Sequence, residues 1–173
     1  MTALMGMQPG EVFTSTDRAE GKGFAVGAKG VDSAGKEYIY CLVAASQNLV
    51  SGNVVTLVST GAGAAAHTAT ILATAPPAPG VSGIPLGVVV CSITASASNY
   101  IWVQVYGSAN VTITDATASN LPGHILTPAS VSGSVKGAIA TASSFIEGMV
   151  FSATASSGAT GAVFLSYPRM AAG

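Results

Sequence analysis

The residues best equipped for chemistry in this chain are two histidines, His67 and His124, two cysteines, Cys41 and Cys91, and a few carboxylates near the N-terminus. A metal centre draws on several His, Cys, Asp or Glu side chains at short, regular spacing. Neither histidine has a Cys, Asp, Glu or second His at such spacing, so no metal and no cofactor is expected. A Ser-His-Asp arrangement could be assembled from the abundant serines, a histidine and Asp115, but no Gly-x-Ser-x-Gly elbow singles out a nucleophile. Glu11, Asp17, Glu20 and Glu37 lie in a glycine-rich lead-in, a poor place for the desolvated carboxylate pair that acid/base catalysis uses. Gly61-Ala-Gly63-Ala-Ala-Ala66 spells a dinucleotide fingerprint after a predicted strand. No helix pattern follows it, and the acidic residue expected about twenty positions on would fall where charge is absent. In Gly21-Lys-Gly23 and Ala28-Lys29-Gly30 neither lysine precedes Ser or Thr, so neither is a phosphate loop. The chain reads as a non-enzyme with no small-molecule substrate.

The distribution of charge is more informative than its total. Charged residues make up 8% of the chain and the net charge is −1, too few cations to follow a phosphate backbone, which excludes nucleic acid as a partner. Glu11 to Glu37 holds nine of the thirteen charged residues, whereas Tyr38 to Thr114 holds none. A soluble surface normally mixes charges of both signs throughout, so the neutral run predicts faces covered by partners. Thirty alanines inflate the 49% hydrophobic content, and folding has to lean on backbone ladders and a few large side chains. No apolar run reaches the length of a membrane span, and no membrane partner is expected. The N-terminus lacks the basic start and apolar stretch of a signal peptide, which predicts folding in the cytoplasm. There Cys41 and Cys91, both placed inside predicted strands, are expected as buried free thiols. The sequon Asn110-Val-Thr112 would be idle without export.

The elements that would position any site are strands. Residues 1–37 read as an extended N-terminal arm, anchored at points such as Phe13, Phe24 and Val26. Tyr38–Val43, Val54–Val58 and His67–Thr74 have the β-branched content and the Gly, Asn and Ser punctuation of strands. Ala62–Ala66 is too short to nucleate a helix, and Pro76–Gly80 is a rigid break. Gly87 to Gly107 predicts a β-hairpin holding the only tryptophan, and Val111–Thr114 a short strand. Alternation along its second strand puts Ile101, Val103 and Val105 on one face and Tyr100, Trp102, Gln104 and Tyr106 on the other. The aliphatic face is expected inside, and the aromatic face at a lobe–lobe or subunit contact. With Phe13, Arg18 and Phe24 from the arm, Tyr100, Trp102 and Tyr106 form the candidate interface.

The C-terminal part repeats what precedes it. Gly87–Tyr106 lies over Gly148–Tyr167 without gaps, pairing Val90 with Phe151, Val103 with Phe164 and Tyr106 with Tyr167. Upstream, Gly52-Asn-Val-Val-Thr matches Gly123-His-Ile-Leu-Thr. The expected fold is therefore all-β, a barrel or sandwich built from two similar hairpin-containing lobes at 38–115 and 116–173, with one shared core possible.

A glycine-rich lead-in, Ser51-Gly-Asn-Val-Val, Ile84-Pro-Leu-Gly-Val-Val-Val and Tyr100-Ile-Trp-Val-Gln-Val-Tyr-Gly together resemble the head decoration, or capsid cement, proteins of tailed bacteriophages. The resemblance spans about Tyr38 to Val111. It implies a small β-rich virion protein on the outer capsid surface, a homotrimer whose partners are its own copies and the major capsid protein. An alternative is a carbohydrate- or surface-binding module of a fibre or adhesin, using Tyr100, Trp102 and Tyr106 as a stacking platform. A hydrolase would instead need a pocket holding a histidine near a carboxylate.

Overall fold

A computed structural model describes residues 7–58, 67–73, 83–94, 98–114, 120–137, 144–156 and 158–172. The segments 61–66 and 76–80, the alanine-rich run and the proline-rich break, lie outside the described residues. The chain is nearly all β. In order it forms β1 (Val12–Phe13), α1 (Ser15–Ala19), β2 (Lys29–Val31), β3 (Glu37–Val43), β4 (Val54–Val58), β5 (Thr68–Ile71), β6 (Leu86–Val89), β7 (Tyr100–Thr112), β8 (Ile125–Pro128), β9 (Val135–Gly137), β10 (Ser144–Phe151) and β11 (Thr160–Ala172).

Five strands close a barrel. β3 pairs β5 in parallel, β5 pairs β4, β4 pairs β6, β6 pairs β7, and β7 returns to β3, the last four pairs antiparallel. Closure leaves no open edge in this ring. Its interior is aliphatic, with Cys41, Val43, Val55, Leu57, Val89, Ile101, Val103 and Val105 buried together. The alternation read along β7 holds here, because successive side chains of a strand point to opposite faces.

β7 then leaves the ring without stopping. At Gly107 the backbone takes φ of +91°, a conformation that favours glycine. Gln104 Nε2 donates to the carbonyls of Tyr106 at 3.1 Å and Ser108 at 2.9 Å, bracketing the bend from a buried position. Beyond the bend, β7 pairs β11 from Tyr106 to Thr112. Outer strands continue in the order β11, β10, β8, β9, and a parallel bridge from Ile113 to Val135 ties β9 back to the end of β7. A second core fills the space between: Val54, Leu72, Leu86 and Val88 from the ring meet Val111, Ile113, Leu126, Ile146, Met149, Phe151, Val163 and Leu165.

Strands β4 and β6 are thus buried on both faces, which explains their near-continuous apolar runs. This also accounts for much of the neutral stretch. The ring interior, the outer strands and the lead-in cover those faces from within the same chain.

The sequence reading needs correction at several points. The strand expected at Val111–Thr114 is not separate: Val111 and Thr112 end β7, because the backbone bends at Gly107 rather than breaking, and Ile113 adds only an isolated bridge. The expected hairpin forms, since β6 and β7 pair antiparallel, but its register is short. β6 and β7 match only at Val88 with Gln104 and Val89 with Val103. Cys91 therefore lies past the end of β6, outside any strand. The lead-in is not simply extended: residues 7–36 contain β1, α1 and β2. β1 pairs β7, and β2 pairs β3.

Both cysteines are free and buried. Burial pushes the Cys41 thiol up to about 12 and the Cys91 thiol up to about 11, from an ordinary 9.0. Neither presents a thiolate at neutral pH, and Ellman's reagent is expected to react with neither until urea unfolds the chain, then with both. Above pH 9 the unfolded chain loses these protons while the folded chain keeps them. The folded state then binds more protons, so stability falls as pH rises from 9 towards 11. The Cys41→Ala/Cys91→Ala chain should show a shallower fall over that window in urea titrations; an equal slope would refute the assignment.

Candidate functional site

Two aromatic groups lie along β7, one at its start and one at Tyr106, beside the bend. The first surrounds Trp102. Phe13, Tyr38, Tyr40 and Trp102 are buried together, with Met7, Phe24, Ala28, Val90 and Tyr100 packed against them. Phe24 meets the Trp102 ring edge-on at 5.0 Å and Tyr40 at 5.6 Å, while Tyr40 stacks on Tyr100 at 6.0 Å and 9°. The Arg18 guanidinium lies 4.4 Å above the Tyr100 ring. It is carried there by α1, whose start is fixed by a capping box. Thr14 Oγ1 accepts from the Asp17 amide at 3.2 Å, and the Asp17 carboxylate accepts from the Thr14 amide at 2.8 Å. That amide, together with the Thr14 hydroxyl donating to the same carboxylate at 2.7 Å, holds the Asp17 carboxyl below its ordinary range.

The six candidate interface residues therefore separate. Trp102 is 0% exposed and Phe13 is buried, so neither offers a face to a partner. The lead-in covers Trp102, which the sequence left on an open face because strand alternation does not say what packs on it. Phe24, Tyr100 and Tyr106 are half-buried and Arg18 is exposed. Trp102 is also the sole tryptophan, so its emission reports this cover directly. Native emission is expected to be blue-shifted and insensitive to acrylamide, and Phe24→Ala should red-shift it and admit the quencher. An unchanged spectrum in Phe24→Ala would mean that the lead-in does not seal the site.

The second group brings Tyr106 together with two residues outside the candidate set. Its ring lies 5.6 Å from Phe164 and 5.7 Å from Tyr167, both on β11. Phe164 is 40% and Tyr167 50% exposed. The Tyr167 hydroxyl donates to the Glu37 carboxylate, which pushes the phenol pKa up. The signal for this group was present in the internal match of Tyr106 to Tyr167. Beside it lies an open cleft of about 260 Å³ between the ring and β11, with Leu57, Leu86 and Val105 at its base.

Of the residues with potential for catalysis, Asp115 lies outside the described residues and Cys41 and Cys91 are buried in the aliphatic core of the ring. Among the described residues no three His, Cys, Asp or Glu side chains are grouped to hold a metal ion. His67 lies at the ring beside Gly27, and His124 is exposed before β8. No helix among the described residues is long and apolar enough to cross a membrane. No protein-family model matches the chain, and no curated protein matches it.

Proposed function

We propose that the chain is a virion structural protein, a head decoration protein of a tailed bacteriophage. In this reading it binds the outer capsid surface as a homotrimer and bridges neighbouring copies of the major capsid protein. The observation that carries the reading is a surface with uncharged segments that expose large apolar side chains. Val50, Val131, Leu121 and Ile125 are all exposed, Val50 at 56%, and no charged residue lies within 45–53 or 121–134. Exposed apolar groups of this kind mark contact surfaces. The sequence resemblance supplies the partner.

The same reading takes the molecule as two similar lobes with β7 running through both. The pairing order supports this. In the ring, β3, β4, β5, β6 and β7 pair as first with third in parallel, third with second, second with fourth, fourth with fifth, and fifth with first. Starting from the distal part of β7, the strands β8, β9, β10 and β11 meet in that same order, including the parallel contact at Ile113 and Val135. The charged lead-in, with Arg18 exposed, acts as the arm that meets a neighbouring subunit.

Cement of this kind works by mass action, since it binds the assembled shell and not free subunits. Repetition over the lattice adds avidity to weak individual contacts. Purified protein incubated with undecorated heads of the phage that encodes it should sediment with them and saturate at a fixed copy number. Protein that stays in the supernatant at every head concentration would refute the proposal.

A further inference from the structure

The aromatic group at the seam between ring and outer strands has features of a ligand platform. Alternation along β11 buries Val163 and Leu165 and turns Phe164 outward. Tyr167 follows with φ of +49°, in the region that favours glycine, so a bulky residue is held there against local preference. Its hydroxyl is tied to Glu37 on β3, 130 residues away in the chain, which fixes the ring instead of leaving it to swing. Polar groups flank the rings. Arg169 Nε donates to Glu147 Oε2 at 2.7 Å, and Tyr167 and Arg169 both border the cleft of about 260 Å³.

Size and charge identify the class of occupant. An aromatic side chain carries roughly 150–250 Å² of surface. At 40% and 50% exposure, Phe164 and Tyr167 together offer on the order of 200 Å². A stable protein interface takes about 800 Å² from each partner, so this patch is too small for a second copy of the chain and suits a small ligand with one apolar face. Sugar rings have that character: their C–H faces stack on aromatic rings, and their hydroxyls bond to carboxylates and guanidinium groups at the edge. Glu147 is paired with Arg169 and Lys36 adjoins Glu37, so the carboxylates are balanced by cations and the site suits an uncharged sugar. The geometry points to a binding site for a neutral oligosaccharide, stacked on Tyr167 and Phe164 and hydrogen-bonded to Glu37 and Arg169.

This inference does not rest on head decoration, and either can fail alone. The test uses the full chain in calorimetric titrations with maltohexaose, cellohexaose and chitohexaose. At least one should bind with a Kd of about 1 mM or tighter. Tyr167→Ala and Phe164→Ala should each weaken that binding at least about tenfold. Tyr167→Phe, which keeps the ring and loses only the Glu37 bond, should retain most of it, and Val131→Ser should bind as the parent does. Trp102 emission in each variant verifies that the fold is intact. Absence of binding by all three sugars would overturn the inference, as would binding that Tyr167→Ala leaves unchanged. A concentration-dependent dimer in ultracentrifugation that Tyr167→Ala abolishes would also overturn it, by assigning the patch to protein.

Discussion

Trp102→Ala is expected to destabilise the fold by about 3–5 kcal/mol, the range for removing a buried aromatic side chain. Trp102 is 0% exposed, and its ring is the common neighbour of Phe24, Tyr40 and the Gly30 backbone. Deletion leaves a cavity that the surrounding rings cannot fill without dismantling their mutual edge-to-face packing. For a domain of this size the melting temperature should fall by about 6–20 °C. Trp102→Phe provides the internal control. The indole Nε1 is buried with no hydrogen-bond partner among the described residues. An unmet buried donor costs about 1–3 kcal/mol, so removing it offsets part of the lost packing. Trp102→Phe should therefore cost less than half as much as Trp102→Ala in urea denaturation. Equal losses would mean that the N–H is satisfied and the account of this core is wrong.

Gly148→Ala is the second large effect expected. β10 shifts register between Glu147 and Met149, and Gly148 forms the bulge with φ of +72°. A Cβ on Gly148 would lie 2.4 Å from the Ser166 carbonyl oxygen and 3.2 Å from its carbon, both rigid backbone of β11. Left-handed strain and this clash act together, and the expected loss is about 3 kcal/mol or more. Gly123→Ala, also left-handed at φ of +81° but with no atom near its would-be Cβ, isolates the strain alone and should lose about 1 kcal/mol. A Gly148→Ala loss no larger than that of Gly123→Ala would show that β11 yields easily at Ser166.

The local alphabet of the fold was legible in the sequence, while its closure was not. Runs such as Tyr38–Val43 and Val54–Val58 announce strands through β-branched content, and the alternation of Ile101, Val103 and Val105 correctly identifies the barrel interior. The pairing of β3 with both β5 and β7 joins segments far apart in sequence, and periodicity carries no information about such contacts. Gly107 reads as a terminator because glycine usually ends a strand, yet here it lets one strand serve two sheets. The neutral run pointed outward to partners, but the double burial of β4 and β6 accounts for much of it.

The candidate surface was legible only in part, for a related reason. Trp102 was correctly placed opposite the aliphatic face, but Phe13 and Phe24 arrive from about eighty residues upstream to cover it. Tyr106 stays partly open because Phe164 meets it edge-on and Tyr167 lies tilted beside it, and neither caps it. Their contribution depends on β11 pairing with the distal half of β7, a tertiary fact signalled in the sequence only by the internal repeat.

The central claim, decoration of a phage head, is tested most directly by cryo-electron microscopy of undecorated heads before and after addition of the purified protein. The account predicts added density on the outer surface at symmetry-related positions, with three copies around local three-fold points between capsomers and with a lead-in facing a neighbouring subunit. Reconstructions that are identical with and without the protein, at concentrations well above those used for sedimentation, would contradict it.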